Sequence, residues 1–139
     1  MPLTNEEMDR LLDEHFAYEA NDDVDGVMMT LGDDIVHDIV GWPGGVSTSQ
    51  DQARVFYEQL FSDLAEGQIK TRRRLYGDNF LVDESEWSGK AVGRPFGMEG
   101  RGRPLSFRLL HVVEFEESKK MKSEQVWLDF TSIMQQLGE

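Results

Sequence analysis

The chain has no cysteine, four prolines and no long apolar run. Without cysteine there is neither a disulfide nor a thiolate, which fits a cytoplasmic setting. No stretch approaches the ~20 apolar residues of a membrane-spanning helix, and no leader-like segment precedes Thr4, so no membrane partner is expected. Basic side chains are scarce early on. Residues 1–66 carry 16 acidic and 2 basic groups, the remainder 11 and 12, for a net charge of −13. Such a half repels phosphate backbones and argues against nucleic-acid binding. The run Arg72-Arg73-Arg74 splits between two strand faces and reads as solvated surface. Three histidines with no His-x-x-His or Glu-x-x-His spacing do not suggest a metal site, and no cofactor is expected.

What is present fits a single domain over residues 1–139, large enough for one core with a pocket. Thr4-Asn-Glu-Glu7 is a capping box, followed by an apolar stripe at Met8, Leu11, Leu12, His15 and Phe16. A second helix starts near Asp22-Asp23, with Gly32 read as its stop. Residues 35–40 form a strand on which Val36, Asp38 and Val40 share one face and Ile35, His37 and Ile39 the other. Ser49-Gln-Asp-Gln52 caps a third helix whose stripe runs from Ala53 to Leu64, with Gly67 as its end. Strands follow over 69–77 and 79–88, then a Gly- and Pro-rich connection. Residues 105–130 read as a long antiparallel hairpin broken at 116–120. Helices before strands indicate an α+β fold: helices on a curved, mostly antiparallel sheet, closing a cone around a cavity for a small hydrophobic molecule.

Three segments carry a family resemblance: Asp25 to Asp38, Gln52 to Phe61, and Lys120 to Asp129 with the trailing Gln135-Gln-Leu-Gly138. They resemble the nuclear-transport-factor-2-like superfamily, in particular SnoaL-like and ketosteroid-isomerase-like bacterial proteins. The resemblance implies a cone-shaped α+β barrel of the cystatin-like type. It implies either cofactor-free acid/base chemistry (isomerase, cyclase or dehydratase type) or a non-catalytic binding or dimeric structural role. Asp38 matches the strand aspartate that moves the proton in ketosteroid-isomerase-like members. His15 stands where they carry a helical tyrosine, and Leu110 where they carry a second aspartate. The acid/base aspartate of SnoaL-like cyclases aligns with Val126, and Glu124 shares that face.

The expected catalytic residues are therefore Asp38, His15 and Glu124, with Tyr57, Trp42, Trp87, Arg108, Leu110 and Val126 contacting the ligand. Asp38 and His15 are expected to face each other across the cavity, and His37, of opposite parity, to face away. Pairing with Arg108 is the alternative role for Glu124. Phe107, Leu109, Val113 and Phe115, with His111 on the same parity, are expected on an outer face that forms a homodimer.

Overall fold

Thr4 caps the first helix in the manner its spacing requires. Its hydroxyl accepts from the Glu7 amide at 3.1 Å, and the Glu7 carboxylate accepts from the Thr4 amide, also at 3.1 Å. In the computed structural model, which describes residues 1–138, this helix, α1, spans Asn5–Ala20 and buries Met8, Leu12 and His15 on one stripe. Helix α2, Val24–Thr30, crosses it, capped by Asp23. Gly26 permits that approach, because a Cβ there would lie 2.2 Å from the Tyr18 ring. Strand β1 is Leu31–Ile39 and helix α3 is Gln50–Asp63. Strands β2 (Leu64–Gly77), β3 (Phe80–Ala91), β4 (Arg103–Phe115) and β5 (Met121–Leu128) follow. Helix α4, Phe130–Leu137, comes last.

The five strands form one sheet in the order β1-β5-β4-β3-β2, with β1 parallel to β5 and every other pair antiparallel. The expected α+β architecture is present, but the sheet is open: β1 and β2 are its edges, not a closed seam. Helices α1 and α3 lie over its concave face. One apolar cluster joins them to α2 and β1 through Met8, Leu12, Val27, Ile35, Ala53 and Tyr57. A second seals the other end, where Ile133 and Leu137 of α4 meet Leu105, Leu109 and Val126.

Several boundaries differ from the sequence reading. Helix α3 stops at Asp63 rather than Gly67, because Leu64 is already extended and β2 begins there. A break in register between Ala65 and Gln68, with Glu66 at φ 54°, bends β2, so Gly67 belongs to a bulge. Gly32 lies inside β1 and does not end α2. Phe130 opens α4 instead of closing a strand, because the Asp129 carboxylate accepts from the Ser132 amide at 3.1 Å.

The strand faces also need correcting. On β4 the residues expected outside, Phe107, Leu109, His111, Val113 and Phe115, are buried on the concave side. Leu110 is 37% exposed on the opposite face, and Arg108 is also exposed there. The expected dimer face is therefore the interior of the fold. Ser106, Arg108 and Glu114 share the parity of Leu110, and these polar groups favour the solvent side. On β1 the same inversion buries Ile35 and His37 and turns Val36 outward. Asp34 and Asp38 share the parity of Val36, which is the polar signal for that orientation.

Candidate active site

Between the helices and the concave sheet is a cavity of about 810 Å³, its open mouth included. Its walls are aromatic and aliphatic: Trp42, Phe56, Trp87, Phe96 and Phe107, with Ile39, Leu109, Val126 and Leu128. Trp87 stacks on Phe107 with ring centres 5.2 Å apart, and Trp42 meets Phe56 edge-on at 4.9 Å. Polar groups on this lining include His37, Tyr57, Glu124, Glu19 and His111. Apolar walls with a few convergent polar groups are the usual composition of a small-molecule site.

The parallel β1–β5 pairing sets His37 directly across from Glu124. His37 Nε2 lies 3.0 Å from Glu124 Oε1. The backbone of His37 is fixed by two hydrogen bonds of 2.8 Å to Ser47, which pin the loop after β1 against the strand. Tyr57 comes in from α3, its hydroxyl 3.0 Å from His37 Nε2 and 3.3 Å from Glu124 Oε1. His15, on α1, stands one layer behind, with Nε2 3.5 Å from Glu124 Oε2 and 3.3 Å from Glu19 Oε1. Its Nδ1 lies 2.7 Å from Thr30 Oγ1. The Thr30 hydroxyl donates to the Val27 carbonyl, so Nδ1 carries the proton of the His15–Thr30 bond.

Glu124 is 2% exposed. Burial favours its protonated form, but the His15 charge 3.5 Å away and the contact with His37 hold its carboxyl well below the usual carboxylate range. Burial likewise opposes charge on His15, yet Glu124 and Glu19 raise it from 6.5 to about 10. Burial and the charge on Glu124 push the Tyr57 phenol upward, so it stays a donor. With Glu124 ionised, the Nε2–H of His37 donates to it, and Nδ1 has no partner among the described residues, so it is the nitrogen left to act in the tautomer this contact sets.

A second imidazole faces the same cavity. His111 Nδ1 is 3.2 Å from Asp83 Oδ1, and its Nε2 has no hydrogen-bond partner among the described residues. Asp83 is fully buried, held by Arg74 Nε and Thr71 Oγ1, each at 2.8 Å, and by the Ser85 hydroxyl. Those bonds outweigh the opposing effect of burial and keep its carboxyl far below the ordinary value. Arg74 also reaches Asp9 at 3.0 Å and Asp13 at 2.7 Å on α1. It is therefore buried in an ion network, in contrast to the solvated surface expected for the arginine run.

Of the expected site residues, Glu124, Tyr57, Trp42, Trp87 and Val126 line the cavity. His15 contacts Glu124 but does not reach the cavity surface. Asp38 lies outside it, on the strand face opposite His37. Arg108 and Leu110 are on the convex face, where Arg108 pairs with Glu84 at 3.0 Å and not with Glu124. His37, His111, Glu19 and Asp83 were missing from the expected set. Only the polar residues opposite His37 and His111 in parity carried a signal for the two imidazoles.

TsrD from Streptomyces laurentii superposes with a TM-score of 0.84 at 18% identity, covering 98% of each chain. An epoxide hydrolase from M. tuberculosis, of the LEH-like type, gives 0.76 at 17% identity over 99% of this chain and 88% of its own. A protein with a ketosteroid-isomerase-like fold from Catenulispora acidiphila, solved with trimethylamine, gives 0.76 at 12% identity over 92% of each. Likeness at such identities establishes the fold alone. A search of curated proteins finds no match. Residues 6–137 match the SnoaL-like polyketide cyclase family, and a match over nearly the whole chain makes this protein a member of it.

Proposed function

We propose that the cavity binds a small hydrophobic ring compound bearing a carbonyl or enol oxygen, and that His37 and His111 move protons on it without a cofactor. The reaction type is that of an isomerase, cyclase or dehydratase, whose shared step is removal of a proton beside a carbonyl; in an isomerase that proton returns at another atom. The single observation that carries this reading is the pair of imidazoles on one apolar cavity, each backed by a buried carboxylate. The carboxylate fixes the ring and its tautomer and stabilises the imidazolium that forms, so the unpartnered nitrogen can act as base. Tyr57, kept as a phenol, would turn its hydroxyl from Glu124 to donate to the oxygen on which negative charge develops. Family membership supports an enzymatic role.

Proton transfer can be tested without knowing the natural substrate. Enolisable aromatic and polycyclic ketones are incubated with the protein in D2O, and deuterium uptake beside the carbonyl is followed by NMR. Uptake is expected for ketones that bind, and His37→Gln should slow it by about 10²–10⁴-fold while binding persists. Binding with no uptake by any bound ketone would instead favour a non-catalytic binding protein.

A further inference from the structure

We propose that His15, Glu19 and Glu124 form a binding site for one divalent transition-metal cation of the zinc class at the inner end of the cavity. His15 and Glu19 stand one turn apart on α1, so their side chains leave the same helix face, and Glu124 meets them from β5. One nitrogen and two carboxylate oxygens from these residues lie within 4.8 Å of one another. The nitrogen is 3.3 Å from Glu19 Oε1 and 3.5 Å from Glu124 Oε2. Ligands held about 2.1 Å from a tetrahedral cation stand roughly 3.4 Å apart, whereas a charge-assisted hydrogen bond closes to about 2.7–2.9 Å. One N–H on Nε2 also cannot serve two carboxylates and the Tyr57 hydroxyl at 3.4 Å.

An independent observation is the state of Glu124. Its Oε1 is engaged by His37 and Tyr57, but Oε2, buried and turned toward His15, has no hydrogen-bond partner. It is alone in this among the buried side-chain polar atoms of the described residues. The His15 charge meets this oxygen only at 3.5 Å, beyond a short charge-assisted hydrogen bond, so a cation at bonding distance would satisfy it better. His15 is oriented as a ligand as well: its Nδ1–H donates to Thr30, the outer-shell bond typical of metal-binding histidines, and an entering cation would displace the proton on Nε2. Two carboxylates neutralise a dication, and Glu19 and Glu124 both line the cavity, which gives a path of entry. The bound cation would leave His37 on Glu124 Oε1, so this site shares Glu124 with the acid/base proposal but uses its other oxygen.

The test uses untagged, chelator-treated protein titrated with ZnCl2 by calorimetry, and with CoCl2 by visible absorption. One zinc ion per chain is expected, with cobalt giving the intense visible bands of a four-coordinate site. Glu19→Gln should weaken binding at least about tenfold, whereas Asp22→Asn, an acidic cavity neighbour outside the cluster, should not change it. Absence of saturable binding would overturn the proposal. So would equal binding by Glu19→Gln, or displacement of zinc by millimolar Mg²⁺, which prefers octahedral oxygen sites. Deuterium uptake by bound ketones is read separately, so either proposal can fail while the other stands.

Discussion

His37 Nε2 sits 3.0 Å from Glu124 Oε1, across the only parallel strand pair among the described residues. This contact joins the first strand to the last and points an imidazole, not the neighbouring aspartate, at the cavity. Asp38→Asn is accordingly expected to change turnover by no more than about twofold, the range of surface substitutions. Glu124→Gln should lower turnover by about 10²–10⁴-fold, because His37 loses the charge that stabilises its protonated state. Steady-state kinetics on any ketone that shows deuterium uptake would decide this, and a large loss in Asp38→Asn would reverse the assignment.

The same carboxylate makes stability depend on pH. The pKa of His15 rises on folding from 6.5 to about 10, so its stabilising contribution is complete below pH 6.5 and lost as the pH climbs through 10. Glu124 shifts the other way, below 4.5, so its contribution is present above pH 4.5 and lost in acid. Between pH 4.5 and 6.5 the pair contributes fully. Scanning calorimetry should show Tm declining from pH 6.5 toward 10, with a shallower decline in Glu124→Gln. Parallel declines in the two proteins would exclude this pair as the cause.

Arg74 and Arg72 provide a contrast in burial. Arg74 has 8% side-chain exposure and meets a fully buried Asp83, whereas Arg72 and Glu86 are each nearly half exposed. Arg74→Met should cost about 3–5 kcal/mol by stranding the Asp83 charge. Arg72→Met should cost less than about 1 kcal/mol. Urea unfolding of the two variants measures the difference, and equal midpoints would show that Asp83 does not depend on Arg74.

Local signals were read well where the physics is local. The Thr4–Glu7 capping box appears in full, whereas of the box expected at Ser49–Gln52 only the Ser49 cap forms, the Gln52 side chain accepting from the Thr48 amide. The turn at Gly77-Asp78 and the break between β4 and β5 were likewise legible. The start of α4 was missed because Trp127 to Phe130 is as β-prone as the strand before it, and only the Asp129 cap marks the change. The bulge at Glu66 was missed for a related reason: a glycine after a helical stripe suits a helix stop as well as a bulge.

Composition, capping and alternation thus determined the class of fold, the order of most elements, and the pairing of residues into strand faces. That alternation put Glu124 and Val126 on one face of β5, and the family resemblance made it the cavity face. Which face of β1 and β4 turns inward was decided by the tertiary structure, because period-two alternation has no sign until a helix covers one side. The helices α1 and α3 chose the side of His37 and His111 and left Asp38, Arg108 and Leu110 outside. The cluster of His15, Glu19, His37, Tyr57 and Glu124 belongs wholly to that level. Its members come from two helices and two strands, and no spacing along the chain encodes their meeting.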